Sequence, residues 1–373
     1  MKKIFVFLVT SCLLAPILNA YGFSGVGWLD IILIASLPFA VFRFNFNSRE
    51  YYIVLSVFVF YSLLLLFNGF DLIGFFQSFK VLLYIVSGLV IRQVISENLL
   101  VHSAKIALFI VFSGFLVQFF LSLVGIYESM VFHRLGLINT AMENSHLIAY
   151  TSGGIRYSSF FLEPSHLSYW AILISGVFIA TSTLNSKRAF MILFMLFMSG
   201  SSFGFGFGVL LLAFIFRTKL SIRKNKKWIV LSAPVSLLLV IFILFNSSSA
   251  DYQKQLEAVP QLDRLLNEKQ VVDGRTSDYD YSQDTISTII LGKGLYGTSG
   301  FIPYIEKMYL WGGCLLLLMK MILFNYLIYQ GKKVWYLHIA LIPMALFSGI
   351  LSTALILTLF FLKARPSSAR SVI

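Results

Sequence analysis

Glu163 and His166 stand three residues apart in the segment Ile155-Arg156-Tyr157-Ser158-Ser159-Phe160-Phe161-Leu162-Glu163-Pro164-Ser165-His166-Leu167-Ser168-Tyr169-Trp170. A carboxylate and an imidazole at that spacing can act as a base and the group that orients it, in either assignment. Pro164 biases Glu163 toward extended backbone and suits the first helical position, so a helix is expected from 164 with Glu163 as its cap. The free amides and positive dipole end of that helix can hold an anion, with Arg156 taking a second pair of acidic oxygens bidentately. His166, Tyr169 and Trp170 share one helical face. The same residues also fit a capped helix with a structural Glu163–Arg156 pair. A second Glu-x-x-His is missing, so no metal is expected.

Other residues could meet a charged or sugar-bearing ligand. The stretch Asp273-Gly274-Arg275-Thr276-Ser277-Asp278-Tyr279-Asp280-Tyr281 combines carboxylates, which hydrogen-bond sugar hydroxyls, with rings that stack on sugars. A solvated loop has the same composition. Gly292-x-Gly294-x-x-Gly297 matches a dinucleotide fingerprint only as a string, because no βαβ pattern precedes it. As a turn it could present backbone amides and Lys293 to phosphate. Phe203-Gly204-Phe205-Gly206-Phe207-Gly208 reads as close helix packing through small residues. Lys80 falls inside an apolar run and could line a cavity, whereas Lys320 can snorkel.

The elements that must position these groups are membrane helices. Of 373 residues, 58% are hydrophobic and 12% charged, with a mean hydropathy of +0.85, beyond what a water-soluble fold can hide. Runs such as Ile106–Phe112 are apolar on every side, which excludes the alternation of an outer-membrane barrel. The expected fold is all-α, a single transmembrane domain over 1–373. Its dozen or so spans are read near 4–21, 26–42, 51–68, 72–91, 104–126, 167–183, 189–200, 203–216, 228–246, 308–329, 334–348 and 350–362.

Charge placement sets the topology. A net charge of +13 would suggest nucleic acid in a soluble protein, but here the basic residues collect at one set of span ends, so no nucleic-acid partner is expected. By the positive-inside rule that side, with both termini, is cytoplasmic. Twelve of the sixteen acidic residues lie in 127–166 and 247–307, which become two large periplasmic loops. The second contains an expected amphipathic helix near 251–269, lying on the membrane or over a cavity. Residues 189–216 are flanked by basic groups, yet each half is too short for a full span. A broken or re-entrant pair turning at Ser199-Gly200-Ser201-Ser202 is expected, and 334–362 repeats the pattern at Ser348-Gly349. Lys2-Lys3 before an apolar run ending at Ala20 resembles a signal peptide, read here as an uncleaved first span. Cys12 and Cys314 sit in apolar runs, so neither a disulfide nor a cofactor framework is expected.

The Arg156-x-Ser158-x-x-x-x-Glu163-Pro164-Ser165-His166 segment resembles the loop-to-helix signature of bacterial oligosaccharide repeat-unit polymerases, the Wzy-type O-antigen and capsule polymerases. Further matches are Ser199–Ser202 inside a glycine-rich span and Leu291-Gly292-Lys293-Gly294-Leu295-Tyr296-Gly297 before a late span. The resemblance implies glycosyl transfer between undecaprenyl-pyrophosphate-linked oligosaccharides on the periplasmic face of the bacterial inner membrane. No cofactor is implied, because the donor arrives activated. A chain-length regulator and a flippase of the same pathway are the implied protein partners. Glu163, His166 and Arg156 become the catalytic candidates, while Arg275, Ser165, Tyr169, Lys293 and Arg134 become substrate-binding candidates. An O-antigen ligase-like glycosyltransferase shares this architecture. A flippase of lipid-linked oligosaccharide should instead show related halves and midplane charges.

Overall fold

The computed structural model describes residues 2–23, 26–41, 48–67, 72–124, 126, 150–151, 154–155, 157–161, 163–218, 284–293 and 309–319. Those residues are mostly helical, in agreement with an all-α fold. In chain order the helices are α1 (Lys2–Leu13), α2 (Ala15–Ala20), α3 (Trp28–Val41), α4 (Ser48–Phe67), α5 (Leu72–Val94), α6 (Glu97–Leu123), α7 (Pro164–Ala180), α8 (Ser186–Met198), α9 (Ser202–Thr218), α10 (Ile286–Leu291) and α11 (Tyr309–Met319). Among the described residues the strands are two short antiparallel pairs, β1 (Gly22–Phe23) with β2 (Val26–Gly27) and β3 (Tyr150–Thr151) with β4 (Gly154–Ile155). Two described helices, α4 and α6, are long and apolar enough to cross a membrane, while α1, α7, α9 and α11 are shorter apolar helices. The expected spans at 228–246, 334–348 and 350–362, and the amphipathic helix at 251–269, lie outside the described residues.

Backbone contacts divide the described chain into two compact units, one holding the residues up to Ala107 with those from 284 onward, the other those from Leu108 to Thr218. In the first unit the run expected as one span at 4–21 is two helices. Pro16 has no amide with which to extend the α1 ladder, so the chain turns at Leu14 and restarts as α2 with proline in its first turn. The β1–β2 hairpin then leads into α3, which packs on α5.

Asp30 in the first turn of α3 is the polar centre of this unit. Its carboxylate accepts from the Gly27 amide at 2.9 Å and lies 2.9 Å from Lys80 Nζ on α5. The Tyr84 hydroxyl, one turn beyond Lys80, stands 2.9 Å from Asp30 Oδ1 and 2.7 Å from Asn19 Oδ1. Lys80 is therefore tied to a carboxylate and links α5 to α3. The Asp30 side chain is 3% exposed and Lys80 20% exposed, so removing one partner leaves a poorly solvated charge. Asp30→Leu should destabilise the protein by about 3–5 kcal/mol, and Asp30→Leu combined with Lys80→Met should recover part of that loss, the remainder being the Gly27 and Tyr84 donors that lose Asp30 as acceptor. Thermal unfolding in detergent and membrane accumulation would measure both.

The second unit is built on α7, which is buried almost along its whole length from His166 to Ile179. A helix apolar on all sides needs neighbours all round, and α8 and α9 pack on it and on each other. The α7–α8 connection is fixed by Asn185, whose side chain caps α8 by accepting from the Arg188 amide at 3.0 Å. Arg188 also lies over the Phe178 ring, 5.1 Å from its centroid, and donates to the Thr183 carbonyl. α8 stops at Met198, the chain reverses through Ser199–Ser201 with Gly200 at φ +71°, and α9 begins at Ser202. The turn expected at Ser199-Gly200-Ser201-Ser202 is thus present. Helices of 13 and 17 residues reach roughly 20 and 26 Å, less than the bilayer's apolar thickness.

The glycine-rich start of α9 divides in its roles. A side chain at Gly204 would strike Ser199 Oγ and the Leu196 carbonyl, and would come within 2.7 Å of Ser168 Oγ. One at Gly208 would meet the Phe197 ring at 2.8 Å. Both glycines therefore serve close packing, as expected from small residues. Among the described residues nothing lies within 4 Å of where a side chain at Gly206 would stand.

Candidate active site

The first turn of α7 brings together three of the residues singled out from the sequence. Glu163 is the N-cap residue, with extended backbone at φ −134° and ψ 148°, and Pro164 follows as the first helical residue. Its backbone carbonyl accepts from the His166 and Leu167 amides at 3.0 and 3.3 Å. Its carboxylate, however, makes no side-chain cap bond to those amides. That carboxylate instead accepts from Ser165 Oγ at 2.9 Å and lies 4.0 Å from His166 Nε2. At 4.0 Å there is Coulombic coupling but no hydrogen bond. The Glu163 side chain is 34% exposed and His166 11%, so the carboxylate opens outward and the imidazole is held mostly inside. Tyr169 is buried, its ring packed against Phe203 and Phe207 of α9 with centroids 5.3 and 5.8 Å apart. Trp170 packs on Phe161 at 5.7 Å. The aromatic face expected of α7 is consequently a packing face, and Tyr169 supports the site from behind.

The turn Tyr157–Phe161 leads toward this helix and is pinned to the last turns of α6. The Ser158 and Ser159 amides both donate to Gln118 Oε1 at 2.9 Å, and Ser159 Oγ donates to the Val111 carbonyl at 2.8 Å. Tyr157 packs between Phe115 and Phe119 while its hydroxyl lies 2.7 Å from Ser122 Oγ. Its amide reaches in another direction, donating to the Ser199 carbonyl at 3.1 Å. Ser168 completes the junction, bonding the Pro164 carbonyl at 2.9 Å and approaching Ser199 Oγ at 3.4 Å. Two segments separated by 28 residues, 157–170 and 199–202, thus meet in one buried polar cluster. Gln118 was not among the residues picked from the sequence. Its signal was a lone amide in a long apolar run, where an unmet buried polar group costs stability.

Lys293, in the other unit, follows α10. Gly292 adopts φ +76° and fits so closely against Trp311–Gly313 that a side chain there would meet backbone at 2.7 Å. The Gly292 amide donates to Thr288 and the Lys293 amide to Leu310, at 2.8 and 2.7 Å. Those two amides are used within the fold, and the rest of the expected turn, 294–297, lies outside the described residues. The Lys293 ammonium is 32% exposed and lies 3.2 Å from Asp284, whose other oxygen accepts from Tyr309 at 2.7 Å. Arg134, Arg156 and Arg275 lie outside the described residues.

No family model, curated protein or solved structure matches this chain.

Proposed function

We propose that the chain is a membrane-embedded polymerase of undecaprenyl-pyrophosphate-linked oligosaccharide repeat units. It works at the periplasmic face of the bacterial inner membrane and builds O-antigen or capsular polysaccharide. The observation that supports this best is the convergence of segments 157–170 and 199–202 beneath the outward-facing Glu163 carboxylate, with His166 beside it. Both segments carry the resemblance to repeat-unit polymerases. In the reaction, an acceptor sugar hydroxyl forms a bond to the anomeric carbon of the donor while the bond from that carbon to the carrier pyrophosphate breaks. The hydroxyl proton passes to Glu163 or His166, and undecaprenyl pyrophosphate departs toward positive charge. Arg156 and Arg275 supply that charge, with Arg134 and Lys293 as further contacts and Ser165 holding the carboxylate.

The membrane setting belongs to this proposal. α4 leaves Leu55, Phe58, Val59, Leu63 and Leu66 exposed along its surface, an apolar face that lipid would cover and water would not. Twelve spans with both termini cytoplasmic follow from the charge distribution, placing 127–166 and 247–307 outside. Deleting the gene and resolving surface polysaccharide on a gel tests the activity. Single-repeat products are expected. Loss of all lipid-A-linked glycan would point to a ligase or a flippase instead.

A further inference from the structure

We infer that Gln118 is a positioning residue of this site, holding the turn Tyr157–Phe161 that leads into Glu163 in the conformation the reaction needs. The inference rests on the polymerase reading for its functional part and on geometry for the rest. Gln118 lies in α6, 3% exposed, and one oxygen of its amide accepts two consecutive backbone amides, Ser158 and Ser159, both at 2.9 Å. Two donors on one oxygen fix the orientation of the side-chain amide, because its nitrogen could satisfy neither. That nitrogen is buried without a hydrogen-bond partner among the described residues. An apolar helix facing an apolar neighbour has no need of such a residue, and leaving a buried donor unmet costs stability. What Gln118 supplies in return is the local shape of the turn.

That shape is one the chain would not adopt unaided. Ser159 has φ +53°, in the left-handed region where a residue with a side chain is disfavoured. Its backbone is held there by Gln118 and its hydroxyl by the Val111 carbonyl. Gly114 makes the approach feasible, since any side chain there would strike the Phe160 ring and come within 2.8 Å of Ser159 Oγ. Gln118, Gly114 and Val111 thus form one stripe of α6 on which the turn is moulded. The turn ends two residues before Glu163, whose partly exposed carboxylate stands at the start of α7, so its shape bears on where that carboxylate is held. A misplacement of about 1 Å in a catalytic group can cost on the order of a hundredfold in rate.

The experiment compares the full-length wild type with Gln118→Leu, which keeps the bulk but removes the acceptor, and Gln118→Glu, which keeps an oxygen in the same place. Each is purified in lipid nanodiscs for hydrogen exchange and expressed in the deletion strain for polysaccharide analysis. In Gln118→Leu the Ser158 and Ser159 amides should exchange about tenfold faster while α7 keeps its protection. Polymer should fall on the order of a hundredfold at normal membrane accumulation. Gln118→Glu should restore slow exchange and most of the polymer. Unchanged exchange in Gln118→Leu would overturn the clamp. Faster exchange with undiminished polymer, or a Gln118→Glu variant that regains protection but not polymer, would overturn the positioning role. If exchange changes as expected but the wild type itself makes no polymer, the polymerase reading fails and the positioning role falls with it, while the clamp survives as architecture.

Discussion

Glu163→Gln and His166→Ala should each lower polymer output by about 10²–10⁴-fold, the contribution typical of a general base, while the protein still accumulates in the membrane. The geometry separates this outcome from a structural one. Glu163 occupies the N-cap position, but its side chain makes no cap bond, so replacing the carboxylate with an amide removes no side-chain cap from α7. What changes is the charge on a partly exposed oxygen held by Ser165 at 2.9 Å and standing 4.0 Å from His166. A partly exposed pair of this kind contributes at most about 1 kcal/mol to stability. If Glu163→Gln leaves polymer intact, the carboxylate has no catalytic part. Full-length polysaccharide from His166→Ala at normal expression would remove the imidazole and leave Glu163 as the base. Polysaccharide gels, with immunoblots of membrane fractions as the control, measure both.

Arg156→Lys and Arg275→Lys carry the second large expectation. Lysine keeps the charge but loses the planar fork, so two parallel bonds to a pyrophosphate or an acidic sugar become one contact with a mobile ammonium. Each hydrogen bond to a charged group is worth about 1.5–3 kcal/mol, which predicts a loss of roughly ten- to hundredfold per arginine. Alanine at either position should be worse than lysine. Near-normal polymer from both lysine variants would reduce the arginines to a general positive field. Lys293→Gln should have the smaller effect, because its ammonium already lies 3.2 Å from the buried carboxylate of Asp284.

The helical start at Pro164 and the reversal at Ser199–Ser202 were legible in the sequence because each depends on local chemistry: proline's fixed backbone at one, glycine's tolerance of positive φ at the other. The broken first span was hidden because hydropathy averages across Pro16 and sees only an apolar run. Asp30 and Gln118 were hidden for a different reason. A single polar residue in an apolar run has no periodicity, and its meaning depends on partners 50 and 40 positions away, Lys80 for Asp30 and Ser158 for Gln118. Tyr169 shares a helical face with His166, but helical spacing does not say what such a face meets, and only the structure shows its ring packed on Phe203 and Phe207 of α9.

The most direct test of the polymerase proposal is reconstitution. Purified protein in phospholipid vesicles would be given the lipid-linked repeat units that accumulate in the deletion strain, with no nucleotide and no other protein. The account predicts lipid-linked glycans of two, three and more repeats, released undecaprenyl pyrophosphate in matching amount, and neither product from Glu163→Gln. Repeat units returned unchanged by active-folded wild type, or moved across the vesicle wall without being joined, would contradict it.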